Sequence, residues 1–539
     1  MVGGFSGFFA KEHGYTIEKT EAEYYTTKYN TLNHKAGHDM GFVGRDNELQ
    51  TLDRLWHSNR SEFLILYGRR RVGKTVLLTH WIQQNNPRTL YWVATPDSEF
   101  AQLRSFSQAV YSFERPDISV PNTFTFASWE QAWEEVARLA AQERIAVIID
   151  EFTYLLETTP AIAGKLQNFW DQRFKDCNIF LCLSGSHLGM MMREVLSYQA
   201  PLYGRASAQI RLNPLPFGLT HKFFPRYSAV DRVAIYAMFG GIPAYWERIN
   251  PGRSISYNIR NQLLTANNLM QAEPRLLLQD FISEPHNYLA VLTAMANGSR
   301  TPKEIASYTG LPNVQVPKYL SVLNEAGFVE RRVSVTAASG SRLGRHHITD
   351  PYLRYYFRFL AARQNQLALG IQDQALAEII RHMIDFIGTH TWEELCREWT
   401  LRASAKAQFP FLPDIVGSAW NSSVQIDVAG INTMEKTLIL GECKWTTSPV
   451  SQDVLVKLIE EKTQKIVPSE KKWQVLFLGF SRSGWTDDAL LYQKDVQKHS
   501  PKGKNWQAVG MRLVNLQQVD CDLEQWSETI SSQSDEIVL

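Results

Sequence analysis

Residues 68 to 75 read Gly68-Arg69-Arg70-Arg71-Val72-Gly73-Lys74-Thr75, which matches the phosphate-binding pattern G-x-x-x-x-G-K-[ST]. The apolar run from Phe63 to Tyr67 predicts a buried strand before this loop, and the apolar spacing of residues 76–82 predicts a helix after it. A loop between a strand and a helix N-terminus directs backbone N–H groups at phosphates. The pattern therefore predicts a nucleoside triphosphate site, in which Lys74 reaches the β- and γ-phosphates and Thr75 binds Mg²⁺.

A second apolar run ends in Asp150 and Glu151. A phosphate-binding loop works with a carboxylate that holds Mg²⁺ and often with a second one that orients the attacking water. We assign the metal to Asp150 and the water to Glu151. Further strands predicted at residues 88–94 and 178–186 alternate with helices, which indicates a parallel, doubly wound sheet with an additional strand. Ser186 ends the later strand and is either a γ-phosphate sensor or a turn residue.

Composition places the chain among ordinary globular proteins, with 44% hydrophobic and 21% charged residues. Its 539 residues suggest roughly three or four domains. The net charge of +1 gives no overall attraction to polyanions, so any nucleic-acid binding must come from local patches. Five scattered cysteines argue for a reducing compartment and against a zinc site or disulfides. Neither a secretory signal nor a membrane span is predicted, so we expect a soluble, cytoplasmic protein.

Six motifs together resemble the archaeal ATPase family of the STAND clade, a group of AAA+-related P-loop proteins. They are FVGRDNEL at 42–49, GRRRVGKT at 68–75, VIIDEF at 147–152, SGS at 184–186, PLYGR at 201–205 and GIP at 241–243. The resemblance spans about residues 41–250. It implies that Val43-Gly44-Arg45 lies near the adenine and that Gly241-Ile242-Pro243 is the G-x-P motif of a helical lid. It also implies that Arg205 approaches the γ-phosphate, as a sensor in cis or an arginine finger in trans.

The expected ATP site thus comprises Val43, Gly44, Arg45, Gly68, Arg71, Val72, Gly73, Lys74, Thr75, Val76, Ser186 and Pro243, with Mg²⁺ on Thr75 and Asp150. Two alternatives stay open. Arg205 has a competing interpretation as a salt-bridged surface arginine. The three loop arginines, Arg69 to Arg71, either add to the positive field at the phosphates or are solvated loop charges.

The middle of the chain has the pattern of a winged helix-turn-helix. Three short helices are predicted, of which the second opens with Thr301 as N-cap, Pro302 at N1 and Glu304 at N3. An alternating strand follows from Phe328. On a DNA reader, Lys318 would enter the major groove, and the wing would contact phosphates. The wing residues in question are Arg331, Arg332, Arg342, Arg345 and His346. The alternative is a packing module between the ATPase and an effector domain.

The C-terminal part contains a second constellation of charged residues. Two adjacent strands are predicted, one with Asp427 and one with Glu442-Cys443-Lys444. Because side chains alternate along a strand, Glu442 and Lys444 share one face, which Asp427 of the neighbouring strand can also face. Two carboxylates can hold a divalent metal that activates water, and the lysine can orient the nucleophile. Glu393 or Glu394, on the preceding helix, can supply a third acidic group. The E-x-K pattern recurs at 460–462 and 470–472, where we interpret it as chance.

The order of helix, two strands with D and E-x-K, helix and strand resembles the PD-(D/E)XK nuclease superfamily, and more narrowly the C-terminal domain often fused to archaeal ATPases. The resemblance runs from about Phe386 to Val519, with Ile426 in place of the motif's proline. It implies catalysis by Glu393, Asp427, Glu442 and Lys444, with Mg²⁺ or Mn²⁺ on Asp427 and Glu442. The superfamily also includes members that have lost activity. Lys471-Lys472 and residues 498–504 are basic enough to follow a phosphate backbone or are solvated loops.

The predicted fold class is α/β multidomain: an additional-strand P-loop ATPase with a helical lid, a winged helix-turn-helix and an α/β nuclease-like domain. The predicted boundaries are 1–40 for an N-terminal extension, 41–215 for the ATPase core, 216–278 for the lid, 279–360 for the winged helix, 361–385 for a helical linker, 386–525 for the nuclease-like domain and 526–539 for an acidic tail.

Two functions are compatible with these features. The first is an ATP-regulated, Mg²⁺-dependent DNA endonuclease, acting in defence against foreign DNA or in mobile-element biology. The second is a STAND-type switch that binds ATP and forms a homo-oligomer, with a nuclease-like domain that binds nucleic acid or protein without cutting. Neither function involves a membrane.

Overall fold

The structure is a computed structural model that describes residues 42–265, 268–279, 285–337, 341, 344–469 and 472–529. The predicted extension at 1–40, Arg342, Lys471 and the last ten residues of the predicted tail lie outside the described residues. All five cysteines are described and free, as expected for a chain without disulfides.

The first sheet has five parallel strands in the order β2-β3-β4-β1-β5. They are β1 Glu62–Tyr67, β2 Thr89–Val93, β3 Ile145–Asp150, β4 Ile179–Gly185 and β5 Ala208–Arg211. In space β4 lies between β1, which leads into the phosphate-binding loop, and β3, which ends in Asp150. The additional-strand arrangement is therefore present. The strand that separates β1 from β3 is β4 and not β2.

Helices cover both faces of this sheet because successive side chains of its strands point in opposite directions. Phe63 and Ile65 of β1 join one apolar core, and Leu64 and Leu66 join another. The flanking helices are Asp46–Trp56, Lys74–Asn85, Glu99–Glu114, Trp129–Ala140, Phe152–Thr158 and Ile162–Gln172. The run predicted after the loop thus forms the expected helix.

The lid region packs directly on the C-terminal domain. Its helices are Ala229–Phe239, Pro243–Trp246, Ile255–Ile259 and Leu269–Gln279. One apolar core contains Trp246 of the lid together with Trp399 and Trp526 of the C-terminal domain. A Cβ on Gly218 would lie 2.1 Å from the Leu523 carbonyl oxygen, so only glycine permits this approach of the two segments. Because Trp526 is buried and its helix, Leu516–Thr529, continues past it, residues 526–529 belong to the folded domain rather than to a tail.

The middle region contains helices His286–Ala296, Pro302–Thr309 and Val316–Glu325, followed by an antiparallel hairpin of β6 Val329–Val333 and β7 Gly344–Ile348. The Thr301–Glu304 capping box forms as predicted, and Gly310 ends the second helix with φ +74°. These elements follow the predicted order of three helices and a hairpin. Helices Pro351–Tyr355 and Gln372–Phe386 lead on to the C-terminal domain.

The second sheet has the order β12-β11-β10-β9-β8, with β10, β11 and β12 parallel and β8, β9 and β10 antiparallel. Its strands are β8 Ile415–Trp420, β9 Gln425–Asn432, β10 Thr437–Lys444, β11 Trp473–Ser481 and β12 Trp506–Asn515. The associated helices are Glu393–Ala405, Asp453–Val456, Thr463–Ile466, Asp487–His499 and Leu516–Thr529, with π-helical turns at Ile387–Trp392 and Lys457–Lys462.

Candidate functional site

The phosphate-binding loop, β3 and β4 bring their polar side chains into one connected cluster. Lys74 is 5% exposed, and its Nζ donates to Ser186 Oγ at 2.8 Å and to the Gly68 carbonyl at 2.9 Å. Ser186 Oγ in turn donates to Glu151 Oε1 at 2.6 Å, and Thr75 Oγ1 donates to Asp150 Oδ2 at 2.8 Å. The residues predicted for phosphate, metal and water thus meet at the ends of three strands.

Tyr91 of β2 also belongs to this cluster, although no sequence motif predicts it. Its hydroxyl donates to Asp150 Oδ2 at 2.7 Å, on the same oxygen that Thr75 contacts. Burial, together with the negative charge of Asp150, raises the pKa of Tyr91 well above its usual value, so the phenol keeps its proton. The position of Tyr91 in a predicted strand was the available signal, but strand order was needed to place it beside Asp150. Burial also lowers the pKa of Lys74, against the opposing effect of Glu151 and Asp150.

Arg45 ties the N-terminal motif to the phosphate-binding loop. Its guanidinium donates to the carbonyls of Val72 at 3.2 Å and Asn213 at 2.6 Å, which joins the loop to the segment after β5. Gly44 beside it has φ +71° and approaches Leu219 closely. Arg45 therefore fixes backbone positions around the loop, and its side chain is engaged in protein contacts.

The lid motif is built as a tight backbone turn. A Cβ on Gly241 would lie 1.8 Å from the Leu215 carbonyl oxygen, and the Gly241 carbonyl accepts a hydrogen bond from Leu215 N at 2.7 Å. Pro243 occupies the first turn of helix Pro243–Trp246, where a missing N–H costs nothing. The turn therefore attaches the lid to the segment after β5.

The three loop arginines bind protein groups rather than solvent, and two of them, Arg69 and Arg71, reach other domains. Arg69 forms an ion pair with Asp350 and donates to Tyr245 Oη at 2.9 Å. Arg71 pairs with the buried Glu273 at 2.8 Å. Arg70 donates to the Tyr154 hydroxyl. Asp350 follows β7 and Glu273 lies in the last lid helix, so the interpretation of these arginines as solvated loop charges is wrong.

Arg205 forms a salt bridge within the ATPase core. Its Nε lies 3.1 Å from both carboxylate oxygens of Asp171, and its Nη2 lies 2.8 Å from Asp171 Oδ2. The side chain is 27% exposed and that of Asp171 is 44% exposed. This arrangement matches the competing interpretation of Arg205 as a salt-bridged surface arginine. A role of Arg205 at the γ-phosphate stays a prediction.

In the C-terminal sheet, β9 and β10 bring Asp427, Glu442 and Lys444 together. Asp427 Oδ2 accepts a hydrogen bond from the Cys443 backbone N–H at 3.1 Å. Lys444 Nζ lies 3.2 Å from Glu442 Oε2. Lys462 Nζ, from the π-helical turn, lies 2.6 Å from Glu442 Oε1 and 2.9 Å from the Gln425 carbonyl. The E-x-K pattern at 460–462, interpreted as chance, therefore contributes its lysine to this site.

Charge repulsion and burial shift the pKa values in this cluster. Burial, and secondarily Asp427, raises the pKa of Glu442. Burial alone would lower the pKa of Lys444, but the carboxylates of Glu442 and Asp427 outweigh it and raise that pKa. Both shifts indicate a compact site in which buried carboxylates lie beside lysine ammonium groups.

Glu393, and not Glu394, is the third acidic group of this cluster. Burial and the charge of Asp427 raise the pKa of Glu393 to about 8. Arg397 links Glu393 to Asp427, because it donates to Glu393 Oε2 at 3.4 Å and to the Asp427 carbonyl at 2.9 Å. Glu394 instead accepts two hydrogen bonds from Arg354, both at 2.8 Å. Among the described residues, no group of three or more His, Cys, Asp or Glu side chains has an arrangement that could hold a metal ion.

The wing packs against the C-terminal domain. Arg332 contacts Glu394 at 3.1 Å, and Arg345 donates to Gln425 Oε1 at 2.8 Å while lying over the Trp420 ring. The Val335 N–H donates to the Ser418 carbonyl at 3.1 Å. Arg332 and Arg345 therefore face the C-terminal domain, as in the packing-module alternative, and contact of the hairpin with DNA stays a prediction.

Two parts of the chain match known families. Residues 42–249 match a family described as an ATPase domain predominantly from Archaea. Residues 356–466 match "Archaea bacterial proteins of unknown function", a span that contains Glu393, Asp427, Glu442, Lys444 and Lys462.

Two proteins of Methanocaldococcus jannaschii are similar to the chain. The uncharacterized protein MJECL04 is 28% identical over 404 residues, which cover 75% of this chain and 87% of that protein. The uncharacterized ATP-binding protein MJ0423 is 50% identical over 42 residues, which cover 8% of this chain and 71% of that protein. Among solved structures, the Walker-type ATPase PABY2304 of Pyrococcus abyssi is 17% identical, with a TM-score of 0.47, over 59% of this chain and 96% of that one.

Within the described part of the chain, no helix is both long and apolar enough to cross a membrane.

Proposed function

Because residues 42–249 match the family of ATPase domains found predominantly in Archaea, we propose that ATP bound at the phosphate-binding loop regulates a Mg²⁺-dependent DNA endonuclease in the C-terminal domain. Defence against foreign DNA or mobile-element biology is the proposed setting. The single observation that carries the nuclease is the convergence of Asp427, Glu442 and Lys444, with Glu393 at their edge.

At the ATPase site, the oxygen donors of Thr75 and Asp150 fit Mg²⁺, which prefers hydroxyl and carboxylate ligands. When bound, the ion neutralises phosphate charge. Lys74 then supplies a fixed cation from the floor of the loop. Glu151 is positioned by Ser186 to orient the attacking water, and Tyr91 holds the second ligand, Asp150, in place. Arg205 can act as an arginine finger in trans only if its salt bridge to Asp171 breaks.

At the C-terminal site, the carboxylates of Asp427 and Glu442 are hard oxygen donors that fit Mg²⁺ or Mn²⁺. A divalent ion held by them would polarise a phosphodiester and activate water. Lys444 is held charged by its carboxylate neighbours and can neutralise the charge that develops on the phosphate oxygens. Glu393, with its raised pKa, can hold or release a proton near neutral pH.

Coupling between the two sites is supported by a short physical connection. Arg69 of the phosphate-binding loop pairs with Asp350, the N-cap of helix Pro351–Tyr355. Arg354 of the same helix binds Glu394, the neighbour of Glu393 in sequence. A shift of the loop around the phosphates would therefore move a helix that contacts the edge of the C-terminal cluster.

The alternative, a STAND-type switch that oligomerises without cutting, has an observation of its own. Both carboxylate oxygens of Glu442 are already paired with lysines, Lys444 and Lys462. Under this alternative, native mass measurement with a non-hydrolysable ATP analogue reveals a homo-oligomer, and Glu442→Ala leaves the assembly and its activity intact.

The test is a cleavage assay with purified protein, Mg²⁺ or Mn²⁺, and plasmid DNA, single-stranded DNA or RNA, with and without ATP. We expect Lys444→Ala to lower DNA cleavage by about a hundredfold or more. Lys465→Ala, a lysine exposed on the neighbouring helix, is the matched control and should cleave like wild type. Equal nicking by wild type and Lys444→Ala would exclude this site as the nuclease.

A further inference from the structure

A cavity of about 200 Å³ lies between the middle region and the helices that lead into the C-terminal domain. Its lining is rich in basic and imidazole side chains: Arg300, Arg358, His346, His347, His382 and His390. Arg354 also lines the cavity, and Asp385 is its one acidic lining residue. None of these residues has a part in the two sites described above except Arg354, which binds Glu394.

Several of these groups have hydrogen-bonding capacity that the described residues do not use. Arg358 donates to Asn297 Oδ1 at 2.7 Å. The side chains of Arg300, His347 and His390 form no hydrogen bond or ion pair with any described residue. His346 Nδ1 is buried and also lacks a hydrogen-bond partner among the described residues. Buried polar atoms in proteins are almost always paired, so the unpaired His346 Nδ1, beside the partly exposed Arg300, His347 and His390, indicates a ligand that forms hydrogen bonds.

The charge balance of the cavity favours an anion. Burial, with the added effect of nearby arginines, lowers the pKa of His347 to about 2 and that of His390 to about 3. Arg300 lines the same cavity as both rings. A neutral imidazole still donates one N–H, and the unpaired guanidinium donates in a fork that matches phosphate geometry.

We propose that this cavity binds a phosphate group, carried either by a nucleic-acid strand or by a small phosphorylated molecule. The volume lies below the roughly 300 to 1,000 Å³ of typical small-molecule pockets, so one phosphate with its adjoining group fits better than a complete nucleotide. His390 precedes Glu393 by one helical turn, so the cavity lies next to the C-terminal cluster. A strand held here would therefore pass close to the C-terminal carboxylates.

This proposal does not depend on cleavage, because it concerns binding alone and can be tested in EDTA. Inorganic phosphate is titrated into the full-length protein and followed by phosphorus NMR. Every sample carries Lys74→Ala, which weakens phosphate binding at the loop. A fluorescein-labelled single-stranded oligonucleotide is titrated in parallel and followed by anisotropy.

The informative variant is Arg300→Gln with Arg358→Gln, which we expect to weaken phosphate binding by about tenfold or more. Arg381→Gln is the matched control, because Arg381 is exposed on the adjoining helix and does not line the cavity. Arg300→Lys with Arg358→Lys keeps the charges and should retain part of the affinity. Thermal unfolding checks that each variant folds. If the double glutamine variant does not fold, the phosphate affinity of the double lysine variant tests the proposal instead.

Loss of both phosphate and oligonucleotide binding would support a nucleic-acid strand as the ligand. Loss of phosphate binding with unchanged oligonucleotide binding would support a small phosphorylated molecule. The proposal is overturned if the arginine variants bind phosphate like the parent protein, or if Arg381→Gln loses as much affinity.

Discussion

At the scale of single residues, Lys462 carries the most information about the C-terminal site. Its ammonium group lies 2.6 Å from Glu442 Oε1 and also donates to the Gln425 carbonyl, so it anchors the start of β9 beside β10. Glu442 is almost fully buried. A buried carboxylate that loses a partner keeps its desolvation cost, so this contact affects both stability and the charge of the site.

We therefore predict that Lys462→Ala and Glu442→Gln are energetically coupled. Lys462→Ala should be destabilised in the wild-type background, and it should cost about 1 to 3 kcal/mol less when Glu442 is already glutamine. The measurement is a double-mutant cycle from urea unfolding. Additive losses would show that the Lys462 contact contributes nothing to stability.

Glu393 should make stability depend on pH in the direction opposite to most carboxylates. Its pKa rises from an ordinary value of 4.5 to about 8 in the folded protein, so the folded state binds the proton more tightly than the unfolded state does. Its contribution to the free energy of unfolding is therefore present below pH 4.5 and is lost as pH rises toward 8. Denaturant unfolding from pH 5 to 9 should show a decline that Glu393→Gln reduces. An identical slope in that variant would contradict the shift.

At the scale of elements, the phosphate-binding loop acts as a junction. Arg69 and Arg71 bind carboxylates of two other parts of the chain, and helix Pro351–Tyr355 begins at the Asp350 that Arg69 contacts. The loop conformation and the position of this helix are therefore linked by a buried ion pair. That link is the element-level basis of the proposed regulation.

Asp350→Asn tests this ion pair without removing the helix cap, because asparagine caps helix N-termini as well as aspartate does. Leaving Arg69 unpaired should lower the free energy of unfolding by about 3 to 5 kcal/mol. Asp373→Asn, in an exposed pair with Arg260, is the matched control and should cost about 1 kcal/mol or less. Equal losses in the two variants would mean that the Arg69 pair has no special energetic role.

The elements themselves were largely predictable, but their mutual contacts were not. The strand and helix around residues 68–75 and the Thr301 capping box follow from local patterns of apolar spacing and capping. The pairing of Arg69 with Asp350 joins residues far apart in sequence, and spacing gives no signal for it. The E-x-K pattern that ends in Lys462 lies outside the paired strands, so the sequence gives no reason to place this lysine at the site. The π-helical turn nevertheless brings Lys462 into contact with Glu442 of β10.

At the scale of the whole molecule, the lid and the C-terminal domain share one apolar core. Trp526 of the last helix packs against Trp399, with ring centroids 6.0 Å apart. Arg232 of the lid also forms a buried ion pair with Asp520 of that helix. The sequence predicted separate modules with a tail from residue 526, because composition reports where a chain becomes polar but not which buried surfaces meet.

Trp526→Ala should therefore destabilise both regions together, by about 3 to 5 kcal/mol. Hydrogen exchange should accelerate in lid helix Ala229–Phe239 as well as in helix Leu516–Thr529. Exposed Leu491→Ala, on helix Asp487–His499, is the control and should leave both rates unchanged. Faster exchange in the last helix alone would show that the lid is stable without it.

In the proposed mechanism, ATP at the loop controls cleavage at the C-terminal site. The direct measurement is the initial rate of plasmid nicking in Mg²⁺ as ATP is titrated, for wild type and for Lys74→Ala. We predict that ATP changes the wild-type rate by about tenfold or more, within the usual range of allosteric coupling, while Lys74→Ala cleaves at a rate that does not respond to ATP. A wild-type rate that is independent of ATP, or an equal response in Lys74→Ala, would contradict the account.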